Sequence, residues 1–172
     1  MTERFLQALA PGETQFTFQA FADRKDATDE ERRRITRIRH GTLDRHWNEL
    51  QRLNEAGAGI FIAVNQTDGC GRKKANIIGI RCVVIDLDGT PLPRRRDLPL
   101  APHIGVCTSP GRYHLYWRVQ GVPLDAFKPI QRALAARYSS DPDVCDLPRV
   151  MRLPGFFHRK GNPYLVRLLG TR

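Results

Sequence analysis

Three β-branched residues, Val83, Val84 and Ile85, run directly into Asp86-Leu87-Asp88, and a Gly89-Thr90 turn follows. The apolar run predicts a strand. On a strand successive side chains alternate faces, so Asp86 and Asp88 share one face while Leu87 points into the core. Two carboxylates side by side at a strand's end repel each other unless a positive charge lies between them. A hard divalent cation with oxygen ligands is the natural candidate. The pair therefore reads as half of a metal site, and the rest of the chain must supply the other half.

The length of 172 residues suits one domain or two small lobes sharing a core. A hydrophobic content of 41% and a charged content of 27% are those of a globular chain. No apolar run approaches the ~20 residues of a membrane span, and Met1-Thr2-Glu3-Arg4 does not resemble a signal peptide. The default location is cytoplasmic. The net charge is +10, from 28 Lys and Arg against 18 Asp and Glu, which favours a polyanionic partner such as nucleic acid. The basic residues cluster at Arg32 to Arg39, at Arg72-Lys73-Lys74, at Arg94-Arg95-Arg96 and from Arg149 to Lys160. Cysteines 70, 82, 107 and 145 form no CxxC pair, which argues against structural zinc. Cys82 and Cys107 lie in apolar runs and are expected to be buried thiols.

Phe16 to Phe21 reads as a short strand. Residues 28–39 are highly charged and fit either a solvated helix or a mobile loop. Thr42 is placed to cap a helix carrying Leu43, Trp47, Leu50 and Leu53 on one side, with Gly57 to stop it. Ile60 to Val64 is a buried strand, and residues 65–76 are a polar loop. Residues 89–102 hold four prolines and are loop. Ile104 to Thr108 and Arg112 to Val119 flank Ser109-Pro110-Gly111 as a hairpin. Residues 125–138 have helical spacing, with Pro129 tolerable only in the first turn. A strand spans Tyr164 to Leu169. This order predicts an α+β fold with a mixed or antiparallel sheet.

In the hairpin, period two puts His114 on the face opposite Leu115 and Trp117. If those two are core, His114 faces solvent, on the metal face or simply on the surface. Asp141, Asp143 and Asp146 crowd the stretch after the second helix, where Asp also serves turns. Arg149 and Arg152 follow closely. Such cations suit the outer oxygens of a phosphate-bearing substrate.

In this order the motifs resemble the archaeo-eukaryotic primase superfamily: Asp86-Leu87-Asp88, then Ser109 to His114, then the 141–146 acids. The chain is most similar to the primase domain of RepB-type plasmid replication proteins and related phage primase-polymerases. Gly57-Ala58-Gly59-Ile60-Phe61, Val64 to Gly69 and Arg149 to Phe156 carry the likeness further, over about residues 14 to 169. The resemblance implies an RRM-like catalytic core with mixed or antiparallel sheets and flanking helices. It implies template-directed nucleotidyl transfer on single-stranded DNA, from nucleoside triphosphates, with two Mg²⁺ or Mn²⁺ ions. Asp86, Asp88 and a third acid would be the metal ligands. Asp141 matches best, ahead of Asp146 and then Asp143. His114, Arg149 and Arg152 match positions that hold phosphates. Ser109 lies five residues before His114 rather than two, so Arg112 is the alternative phosphate contact. Lys160 is a further candidate on nucleotide or template. The clusters Arg72, Lys73, Lys74 and Arg94, Arg95, Arg96 are candidates for the template backbone. Relatives often continue into a helicase, so residues 1–172 are expected to be the catalytic domain of a longer replication protein, with such a helicase as partner.

Ile85 to Thr90 also fits the first motif of haloacid-dehalogenase-like phosphatases, with Thr108 imitating the second. That motif normally opens its domain, whereas here only 84 residues follow Asp88. A non-catalytic origin-binding module would account for the charge but leave the aspartates without purpose.

Overall fold

The computed structural model describes residues 1–172, apart from the side chain of Arg95, so the template role expected of Arg95 lies outside the described residues. In chain order the elements are α1 (Thr2–Leu9), β1 (Phe16–Ala22), α2 (Asp29–Ile35), β2 (Arg37–Gly41), α3 (Leu43–Glu55), β3 (Ala58–Ala63), β4 (Gln66–Thr67), β5 (Ile77–Gly79), β6 (Cys82–Asp88), β7 (Ile104–Ser109), β8 (Arg112–Arg118), α4 (Phe127–Tyr138), β9 (Val150–Arg152), β10 (Phe157–His158), β11 (Tyr164–Leu165) and β12 (Arg167–Thr171). Two four-stranded sheets dominate, ordered β2-β1-β3-β9 and β12-β7-β8-β6. Every pairing in them is antiparallel. Among the described residues no helix is long and apolar enough to cross a membrane.

The charged stretch 28–39 resolves into a helix and an edge strand. Thr28 caps α2 through a reciprocal box with Glu31, and Arg32, Arg33 and Arg34 fall in the last turn, where the helix dipole favours cations. Arg37 to Gly41 then pairs with β1. α3 begins at Thr42, whose hydroxyl accepts from Arg45 N–H. It ends before Gly57, at φ +101°. Pro129 is the third residue of α4, where no intrahelical N–H is required. The β7–β8 hairpin turns on Pro110-Gly111, with Gly111 at φ +74°, a value a side chain rarely tolerates.

The second sheet is buried on both faces. Val83, Ile85, Leu87, Leu115 and Trp117 form one apolar cluster with Phe127 of α4. Cys82, Val84, Ile104, Val106 and Tyr116 join the main core, shared with α1, α3 and the first sheet. Each buried aliphatic contributes about 1.5–3 kcal/mol, so Leu87, fully buried between the two aspartates, fixes their direction. β6 is the outermost strand of its sheet. Its free side is covered at Val84 by the buried Gln131, whose amide accepts from Val84 N–H and donates to Val84 C=O, both at 2.9 Å. The same amide donates to Val144 C=O at 2.7 Å and so ties the acidic loop to the strand.

Candidate active site

Register places the site residues. Asp86 lies opposite His114 and Asp88 opposite Arg112, all on the face of β6 and β8 turned away from α4. Asp88 is exposed and pairs with Arg112 at 2.8 Å. Asp86 is recessed, with 26% of its side chain accessible. The acidic loop docks against β6 next to Gln131: Asp141 N–H donates to Asp86 C=O at 3.0 Å. Burial, then the negative charges of Asp141 and Asp88, push the Asp86 carboxyl up to about 6, with Arg112 and Arg149 opposing.

The three candidate third acids separate. Asp141 is the one whose charge acts on Asp86 alongside that of Asp88. Asp143 donates its N–H to the Asp141 carboxylate at 2.8 Å and points its own side chain to solvent. Asp146 is paired with Arg149 at 2.5 Å. Arg149 also donates to the Asp143 carbonyl.

His114 does lie on the aspartates' face, but it is buried, contrary to the solvent-facing position the alternation suggested. The main core covers this face of the sheet, which the pattern of one strand could not reveal. Burial, helped by the charge of Arg152, lowers its pKa to about 3, so the imidazole is neutral. Its Nδ1 is 3.1 Å from the Tyr116 hydroxyl. Burial raises the Tyr116 pKa well above its ordinary value, so this hydroxyl keeps its proton and shares a hydrogen bond with Nδ1. Nε2 lies 3.6 Å from the Asp86 carboxylate, beyond hydrogen-bond distance.

Arg152 is also buried, held by both oxygens of Asp23 at 3.0 and 2.6 Å. Ser109 ends β7 across the turn from Arg112. Lys160 is exposed. Arg72 departs from the expected free cation. It donates to Gln19 and to the Pro148 carbonyl at 3.0 and 2.7 Å, which ties the 65–76 loop to the first sheet. Lys73 and Lys74 are exposed. Lys74 rims a groove of about 860 Å³ beside Asp146 and Lys128. Arg94 and Arg96 are exposed and share Asp97. Asp23, Tyr116 and Gln131 were missed by sequence reasoning. Tyr116 was within reach, since it shares a strand face with His114. A lone acid after β1 and a glutamine inside a helix carry no signal.

Among the described residues no group of three or more His, Cys, Asp or Glu side chains is gathered closely enough to hold a metal ion. The Asp86 carboxyl, its pKa raised by burial and then by the charges of Asp141 and Asp88, has oxygen donors beside it of the kind a hard divalent cation takes.

Residues 26–172 match the RepB DNA-primase N-terminal domain. The chain belongs to this family of DNA primases. Its fold is shared with solved structures. The primase-polymerase domain of cyanophage S-2L superposes with a TM-score of 0.73 at 18% identity, over 98% of this chain and 88% of that one. The primase RepB′ superposes at 0.71 with 20% identity, over 99% of this chain and 55% of that one, so the chain spans little more than half of that protein. The RepB′ catalytic domain in complex with initiator DNA gives the same score, over 82% of its length. No curated protein matches the chain in sequence. The antiparallel pairing of β6 with β8 rules out the phosphatase reading, which needs a parallel, doubly wound sheet. Thr108, its imitation of a second motif, instead donates to the Arg112 carbonyl within the hairpin.

Proposed function

We propose that the chain is a template-directed nucleotidyltransferase that assembles primers on single-stranded DNA from nucleoside triphosphates. The observation that carries this reading is the docking of Asp141 onto the Asp86 main chain, which gathers a third carboxylate beside the Asp86–Asp88 pair. Asp86, Asp88 and Asp141 would hold Mg²⁺ or Mn²⁺, two ions being expected. Bound there, the ions would polarise the phosphoryl group and activate the attacking hydroxyl.

The chain's own side chains bind and orient. His114, neutral and hydrogen-bonded to Tyr116, packs beside Asp86 with Nε2 3.6 Å from the carboxylate and backs that side chain, a role distinct from neutralising triphosphate. Arg112 lies beside Asp88 on the exposed rim, where a substrate phosphate can exchange for the carboxylate; exposed pairs of this kind hold by only about 0–1 kcal/mol. Arg149 and Lys160 add positive charge around the same opening. Ser109, across the turn from Arg112, borders it. Lys73, Lys74, Arg94 and Arg96 are exposed cations for the template backbone, and that contribution weakens with salt.

The test is incubation of the protein with a single-stranded template, Mn²⁺ and labelled nucleotides. Oligomeric products that vanish in Asp86→Ala and Asp88→Ala proteins of unchanged fold are the expected result. Full synthesis by a folded Asp86→Ala protein overturns the reading. DNA binding indifferent to both metal and nucleotide, without synthesis, would point instead to a non-catalytic binding module.

A further inference from the structure

The segment 157–165 forms a short hairpin, β10 against β11, that spans from one main sheet to the other. On the side of the first sheet, Asn54 grips Phe157 as a peptide would, accepting from its N–H at 2.8 Å and donating to its C=O at 2.7 Å. On the side of the second sheet, Tyr164 Oη meets Cys107 Sγ at 3.3 Å. The tip between the strands carries Arg159 and Lys160. Cys107 lies two residues before Ser109, which pairs with Arg112, so the root of this hairpin stands at the Arg112 end of β7 and β8.

One residue sets the root of this tip. Asp23, with 2% of its side chain accessible, accepts the N–H of Arg159 at 2.6 Å while holding both terminal nitrogens of Arg152. Burial works against its ionisation, but the bonds and charge of Arg152, with the Arg159 N–H, outweigh it and hold the carboxyl below its ordinary range. The cluster has no slack. Arg152 lies over the Phe61 ring at 4.8 Å. A Cβ on Gly59 would come within 2.9 Å of both Arg152 Nη1 and Asp23 Cγ. Arg152 is thus neutralised in place, and the cations left for a ligand are those of the tip.

We propose that Asp23 is a positioning residue: by fixing the Arg159 main chain and Arg152 in one arrangement, it sets Arg159 and Lys160 to bind substrate phosphates. The primase reading supplies the identity of those phosphates, which belong either to an incoming nucleotide or to the DNA strand.

Two measurements on the 172-residue protein separate the sources: KM and kcat for ATP in primer synthesis, and fluorescence anisotropy with a labelled 12-nucleotide single strand. Asp23→Asn should raise either KM or the DNA Kd at least fivefold, leave kcat within twofold, and speed hydrogen exchange at the Arg159 amide. Arg159→Ala/Lys160→Ala, which leaves the anchor intact, should raise the same constant without accelerating exchange elsewhere. This second variant decides the matter if Asp23→Asn fails to fold. If KM and Kd stay unchanged in the double variant, or in a folded Asp23→Asn protein, the proposal is overturned. The anisotropy arm needs no catalysis, so a protein that makes no primers but loses DNA affinity in these variants would remove the nucleotidyltransferase reading and leave this one standing.

Discussion

Asp141 donates its main-chain N–H to the main-chain carbonyl of Asp86, 3.0 Å away. The bond substitutes for a neighbouring strand, and it fixes which of three nearby acids stands beside the pair. Asp141→Ala should therefore lower the rate of primer synthesis by about 10²–10³, the usual cost of losing one group that stabilises transition-state charge. Asp146→Ala, which frees Arg149, should cost less than about tenfold. Single-turnover extension rates measure both. The reverse order would transfer the third position to Asp146.

Asp86 makes the site stable when protonated. Its folded pKa of about 6 lies above the ordinary 3.8, so the folded protein binds the proton more tightly than the unfolded chain does. The resulting stability is full below pH 3.8 and is lost as pH rises through about 6. Asp86→Asn should accordingly unfold at higher denaturant than the wild type at pH 8, by at most about 3 kcal/mol, and the gap should close towards pH 4. Mn²⁺ at pH 8 should stabilise the wild type and leave the asparagine variant unmoved. Equal stability of the two proteins at pH 8 would contradict the raised pKa.

His114 works in the opposite sense. Its folded pKa of about 3 lies below the ordinary 6.5, so the unfolded chain takes up the proton first. Stability is present above pH 6.5 and is lost as pH falls from there towards 3. Nitrogen chemical shifts of the His114 ring should stay those of a neutral imidazole from pH 5 to 8. Over the same range His114→Gln should lose less stability on acidification than the wild type. A ring titrating near pH 6.5 would disprove its burial.

The cations at 72–74 should divide by function. Arg72→Ala removes two hydrogen bonds that tether the loop and should lower stability by about 1–3 kcal/mol. Lys73→Ala/Lys74→Ala should leave stability within about 0.5 kcal/mol and flatten the salt dependence of single-strand binding by up to about 1.4 in logarithmic slope. Equal effects on both properties would mean that the loop binds as one unit.

The aspartate strand β6, the capped helix α3 and the β7–β8 hairpin were legible because each is specified within a dozen residues, by period, cap or turn. β2 was not, because its pattern is arginine-rich and its strand character comes from pairing with β1. α1 carries Phe5, Leu6 and Leu9 on a buried face, a helical spacing that went unread. For His114 the alternation identified the face, but its burial depends on another layer of the fold. Asp23 was illegible in principle, since its partner Arg152 lies 129 residues away.

The cover over β6 has a second meaning. An outermost strand with bare main-chain groups can recruit a further strand from any passing chain. Here a glutamine side chain and the Asp141 main chain occupy those groups at Val84 and Asp86. Gln131→Leu would strip that cover and loosen the acidic loop in the same stroke, so the damaged enzyme should clump as well as stall. Selection against self-association and selection for catalysis thus converge on the same few hydrogen bonds.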